Sequence, residues 1–133
     1  MENATAVEIP AINQPWPEQG GTYIGIRLVD GRPAHIIVPP VEQHPKGIAW
    51  RDGEAAIAGI EINGHNDWVF GDQRDLMLGY VNAPDAFDQD DVYWTATQLS
   101  SHYAWAVNFE YGDVDDWNKD DEFRVCPVRR LFI

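Results

Sequence analysis

Between residues 103 and 109 large side chains alternate with small ones. Tyr103, Trp105, Val107 and Phe109 are separated by Ala104, Ala106 and Asn108. A period of two is the signature of a strand, because successive side chains point to opposite faces. The pattern predicts a strand with one buried face, closed by a turn at Tyr111-Gly112-Asp113. Similar runs lie on either side, Val92 to Thr97 and Phe123 to Phe132. The C-terminal part of the chain is therefore expected to be a set of antiparallel strands.

The N-terminal part reads differently. Tyr23, Ile24, Ile26, Leu28 and Val29 favour a strand, Asp30-Gly31 is a turn signal, and His35 to Val38 is the return strand before Pro39-Pro40. That is a β-hairpin over Thr22 to Pro40. Ile48 to Ile60 reads as an amphipathic helix with Trp50, Ala56 or Ile57, and Ile60 on one face, ended by Asn63-Gly64. Asp72 to Val81 reads as a second helix. Asp72 is its N-cap, Asp75 completes a capping box, and Leu76, Met77 and Tyr80 face the core. Hairpin, two helices, then strands is an α+β order, not a βαβ alternation. Residues 1–20, with Pro10, Pro15 and Pro17, are expected to form an extended docking arm, on the parent domain or on a neighbouring subunit. Residues 21–133 are expected to form one domain.

Composition narrows the function classes. The chain has 133 residues, one cysteine and a formal charge of −13. An internal disulfide is excluded, and Cys126, in an apolar run, reads as a small buried hydrophobe. The negative charge argues against direct nucleic-acid binding and against anionic membranes. It leaves neutral, cationic or metal partners. No apolar run is long enough for a transmembrane helix, and the first residues lack the features of a signal peptide. The expectation is synthesis in the cytoplasm, with incorporation into a virion as the alternative destination.

Three segments, in order, resemble the Lcl C-terminal domain family in its phage and prophage branch. They are Asp67-Trp68 through Leu76; Tyr93-Trp94-Thr-Ala-Thr-Gln98; and Tyr103 to Phe109 followed by Gly112, Asn118-Lys119 and Arg124-Val-Cys-Pro-Val-Arg-Arg130. Gly20-Gly21-Thr-Tyr-Ile-Gly25 and the Trp50 segment are similar too. The resemblance spans residues 20–131. It departs at Phe70-Gly71-Asp72, where the family has Leu-Pro-Thr. What it implies is a C-type-lectin-like fold with no catalytic residues. Function on such a scaffold lies in the site, not in the fold.

Eleven of the 22 acidic residues fall in two stretches, 85–91 and 110–122. Asp88 and Asp90 in the first, and Asp113, Asp115, Asp116, Asp120 and Asp121 in the second, are the candidate binding residues. They can form a solvated face, dock a basic partner or coordinate Ca²⁺, although neither stretch has the ligand spacing of an EF-hand loop. Trp117 lies among them in what reads as a polar loop, where an exposed Trp is a candidate interface anchor. Trp94 and Trp105 read as core, although a platform for stacking carbohydrate is the alternative. His35, His44, His65 and His102 show no metal spacing, and no nucleophile elbow occurs. Arg129-Arg130 is expected to make internal ion pairs that fix the last strand.

The expected function is a non-enzymatic binding module, a virion-associated protein of a phage or prophage that joins an assembly or contacts a host-surface ligand. The alternative is an acidic inhibitor protein that blocks a basic nucleic-acid-binding surface of a host defence complex.

Overall fold

A computed structural model describes residues 8–133; the expectation for the arm at residues 1–7 lies outside the described residues. The fold is α+β, with two helices and two mostly antiparallel five-stranded sheets. The strands are β1 (Pro15–Trp16), β2 (Gly21–Val29), β3 (Arg32–Val38), β4 (Ile48–Ala49), β5 (Val69–Phe70), β6 (Val92–Gln98), β7 (Tyr103–Asn108), β8 (Val114–Asn118), β9 (Glu122–Val125) and β10 (Pro127–Phe132). The helices are α1 (Gly53–Ile57) and α2 (Gln73–Asn82). The first sheet has the order β1-β2-β3-β10-β5 and the second β4-β9-β6-β7-β8.

The β2–β3 hairpin forms where the sequence places it, and Asp30 and Gly31 take positive φ at its turn. The last strand, β10, pairs with β3, so the chain leaves the first sheet, builds the second, and returns. The return differs from the single strand expected over residues 123–132. Residues 122–125 pair with β6 in parallel, and residues 127–132 pair with β3 and β5. Cys126-Pro127 is the point of transfer between sheets. Proline has no N–H to donate, so it is tolerated as the first residue of a strand. The Cys126 thiol is fully buried, and burial pushes its pKa well up.

α2 matches its expected start. Asp72 accepts the Asp75 N–H and Asp75 accepts the Asp72 N–H, the reciprocal capping box. Leu76 is fully buried, but Met77 points outward and Tyr80 is only half-buried. The inward face is Asp75, Leu76 and Gly79 instead. The Phe87 ring lies so close that a Cβ on Gly79 would sit 2.4 Å from it, which turns the helix to present glycine inward. The helix expected over residues 48–60 shrinks to a 3₁₀ turn, Trp50–Asp52, and α1. Ile48 and Ala49 are taken by sheet pairing with β9, and Trp50 donates its indole N–H to the Thr95 carbonyl. Asn63-Gly64 does not end that helix. Both residues have positive φ in a tight turn that bridges Ile62 and His65.

The second sheet is covered on both faces. Tyr93, Val107 and Phe109 belong to the core under α2, while Trp94, Ala104, Ala106 and Val125 belong to a second core against Ile57 and Phe70. The alternation in β7 therefore does not mark one buried face. The alanines are buried, Trp105 is half-buried, and Tyr103 is exposed. Tyr103 and Trp105 stand where the covering layer runs out, whereas Val107 and Phe109 on the same face are buried under α2. A third cluster, Trp16, Tyr23, Ile37 and Trp68, holds the described part of the arm. β1 pairs with β2, and the Asn13 N–H donates to the Tyr23 carbonyl. Arg129 pairs with Asp67, and Arg130 with Asp72 and Asp75, which ties β10 to its surroundings as expected.

Candidate functional site

The stretch that reads as a loop over residues 113–122 is mostly strand. β8 pairs with β7 in register, Ala104 opposite Trp117 and Ala106 opposite Asp115. Among the described residues nothing pairs with its other side, so β8 is the outer edge of the second sheet. Val114-Asp-Asp-Trp-Asn118 has poor strand propensity, and its pairing with β7 overrides that preference.

Register decides which groups face outward. The Asn108 N–H donates to the Asp113 carbonyl, and the Lys119 N–H donates to the His102 carbonyl. By antiparallel alternation, Asp115 and Trp117 direct their backbone toward β7, and Val114, Asp116 and Asn118 direct theirs to the open edge. Side chains cap part of that edge. The Asp115 carboxylate accepts the Asp116 N–H at 2.9 Å, and the Asn118 carbonyl accepts the Asp121 N–H at 2.9 Å. Charged residues on an edge strand also discourage unwanted sheet extension. The edge thus presents side chains more than backbone.

Trp117 is 43% exposed. One side of its ring meets Phe123 edge-on at 5.4 Å, and Phe123 in turn meets the buried Trp94 at 5.0 Å. The indole is held by the core and still offers a face to solvent. A ring ordered before binding loses little side-chain entropy on contact.

The acidic residues do not all play one part. Asp113, Asp115, Asp120 and Asp121 are exposed, and Asp116 is half-buried on the Trp105 side of β8. Asp120 meets Arg51 at 3.1 Å on the surface. The loop 85–91 adjoins the end of β7, because the Phe109 N–H donates to the Asp91 carbonyl. Asp90 is exposed there, whereas Asp88 is committed to structure. Arg124, 8% exposed, binds Asp88 at 3.1 Å and Asp91 at 2.9 Å and also donates to the His44 carbonyl. The exposed acids along and just beyond β8, from Asp113 to Asp121, form an acidic ribbon, and Asp90 stands apart in the loop that leads into β6, on the other side of β7. Among the described residues, no group of three or more His, Cys, Asp or Glu side chains could hold a metal ion.

A buried relay fixes the 85–91 loop. His44 Nε2 lies 2.8 Å from the Pro39 carbonyl, which can only accept, so Nε2 carries the proton. Nδ1 then accepts from the Tyr93 hydroxyl at 2.8 Å, and that hydroxyl oxygen accepts the Asp88 N–H. Burial lowers the His44 pKa to about 4, and it raises that of Tyr93. The other histidines are also placed by structure. His35 bonds to Tyr23, His65 bonds to the Glu18 carbonyl, and His102 is exposed at the β6–β7 turn.

Sequence reasoning missed Arg124 and Asp91, whose pairing needs the parallel contact between β6 and β9. No local signal marks it. No helix is long and apolar enough to cross a membrane among the described residues. Compared with known proteins, the chain matches no family profile and no curated sequence.

Proposed function

We propose that this chain is a non-enzymatic binding module on a C-type-lectin-like scaffold that docks a basic protein surface through the acidic ribbon, with Trp117 as its anchor. The observation that carries the reading is the pre-held, half-exposed indole of Trp117 on an open edge strand among exposed aspartates. Aromatic anchors ringed by charge are the usual energetic centre of an interface, and complementary charge speeds encounter. The lectin-like reading is supported by the return of the C-terminal strand to the N-terminal hairpin, with both helices and the second sheet in between. The setting follows from the resemblance to phage and prophage proteins: a virion-associated component that joins an assembly or meets a host-surface ligand. The test is recovery of the chain with intact phage particles through a density gradient. Wild type should co-sediment and Trp117→Ala should not. A wild-type chain that remains in the soluble fraction overturns the virion assignment.

A second reading has its own observation. Half of the acids fall in two stretches, and Asp113, Asp115, Asp120 and Asp121 stand exposed along or just beyond one sheet edge, a concentration of charge that suits an inhibitor covering a nucleic-acid-binding site. Capture from host lysate at low salt would then yield a nucleic-acid-binding protein that added DNA displaces. Capture that DNA leaves untouched removes this reading.

A further inference from the structure

α2 has apolar residues on both sides. Leu76 and Gly79 face the core, and Met77, Leu78 and Val81 form an outer stripe with Arg74 one turn upstream. Positions 74, 77, 78 and 81 share one helix face by their spacing; Arg74 opens it, Leu78 is half-buried against the edge of the core, and Met77 and Val81 are the apolar side chains left outward. Val81 is 76% exposed and Met77 44%. On one side of this ridge, Arg27, Leu28, Arg74, Met77, Leu78 and Val81 line an apolar groove of 430 Å³. On the other side, Tyr80, Val107, Gly112 and Val114 complete a smaller hollow of 180 Å³. A ridge between two furrows is the relief that pairs with another helix.

Charge selects the occupant. Arg74 is exposed in the first turn of α2, the end where the helix dipole disfavours a cation, and it makes no ion pair among the described residues. At the other end stand the last helix carbonyls and, just beyond, the exposed Asp85. An antiparallel second copy brings these opposite ends together. Side chains lean toward their own helix N-terminus, so Arg74 leans toward the C-terminal end of an antiparallel neighbour.

We infer that the outer face of α2 is a twofold self-association surface. Each copy seats its Met77–Val81 ridge in the other's furrow and sets Arg74 against the C-terminal end of the other's α2, near Asp85. Such an isologous contact needs only one patch. The charge of −13 on each chain opposes pairing, and salt screens that repulsion. Pairing is therefore tighter at high salt.

The test is sedimentation equilibrium of the full chain over a wide concentration range, at low and at molar salt. Twice the chain mass of 15.1 kDa is expected at high concentration, with tighter association at high salt. Val81→Glu should weaken pairing by about a hundredfold or more, since it buries an unpaired charge, and leave the melting temperature unchanged at concentrations where the wild type is a single chain. Arg74→Glu and Asp85→Arg should each weaken it, and the two together should restore it. The inference is overturned by a single-chain mass under all conditions, whether a foreign partner or the chain's own first residues occupy the face. It is equally overturned by a dimer indifferent to Val81→Glu, or by a charge swap that fails to rescue.

Discussion

The β8 edge and the outer face of α2 are both exposed and unpartnered, but they are built from opposite materials. β8 carries charge, one held aromatic ring and a backbone partly capped by its own side chains. The α2 face carries aliphatic side chains and two arginines, of which Arg27 is already paired with Asp72 and Asp75. Salt should act on them in opposite senses, weakening docking at the ribbon and strengthening contact at α2. The comparison teaches that an acidic protein need not have one kind of surface. Its charge excludes self-contact along one edge, and a neutral patch elsewhere stays free for it.

The largest effect should come from separating the two regions. Asp75 is fully buried and meets both Arg27 at 2.8 Å and Arg130 at 2.7 Å while capping α2. Burial, with the neighbouring Asp72 charge, raises its pKa. Arg130 Nε already lacks a partner, the one such buried side-chain nitrogen or oxygen among the described residues. Asp75→Ala leaves Arg27 and Arg130 with Asp72 as their shared carboxylate, removes half of the capping box, and should cost about 3 kcal/mol in chemical denaturation. Asp75→Asn keeps an acceptor and should cost less. Hydrogen exchange should rise across α2 before it rises in β7 and β8. Simultaneous loss of protection in both regions would show that they are not independent.

At the ribbon, Trp117→Ala should weaken binding to the basic partner by about 2 kcal/mol, roughly 30-fold, as measured by calorimetry. Self-association through α2 should be unaffected. A binding change of less than about threefold would move the anchor elsewhere.

Acid should loosen the 85–91 loop first. His44 has its folded pKa depressed to about 4 from an ordinary value of 6.5. Above 6.5 both folded and unfolded chains hold it neutral and its stabilisation is complete. As pH falls below 6.5 the unfolded chain gains a proton that the folded chain refuses, so stability drops until about pH 4. Between pH 6.5 and 5 the loss from His44 is about 2 kcal/mol. Burial also depresses His35, which adds in the same direction. A His44→Asn variant should show a shallower decline of unfolding free energy over this window. An unchanged slope would place the acid sensitivity outside the relay.

Much of this scaffold is legible in the sequence where local chemistry decides. Asp30-Gly31 and the Asp72–Asp75 box specify a turn and a helix start with groups a few residues apart. The acidic stretches and Trp117 are visible as candidates for the same reason. What cannot be read is decided by distant contacts. The burial of Ala104 and Ala106 depends on α1 and Phe70 covering that face, and the turn of α2 depends on Phe87 against Gly79. The strand character of β8 depends on an available edge at β7. The role of Asp88 depends on Arg124, which reaches it from the end of the chain.

The smallest expected effect is also the sharpest test of the division of labour among the acids. Asp115 is exposed, makes no ion pair among the described residues, and its carboxylate caps the Asp116 N–H. Asp115→Asn keeps an oxygen acceptor for that N–H and removes only the charge. Stability should change by less than about 0.5 kcal/mol, because surface substitutions away from buried features rarely exceed this. The dependence of partner binding on salt should nevertheless become shallower, chiefly through a slower association rate, since rim charges act on encounter. Asp88→Asn should behave in the opposite way. It disturbs the Arg124 contact, so it should lower stability measurably and leave the salt dependence of binding nearly as it was. If the two variants exchange these signatures, Asp88 rather than Asp115 belongs to the docking surface.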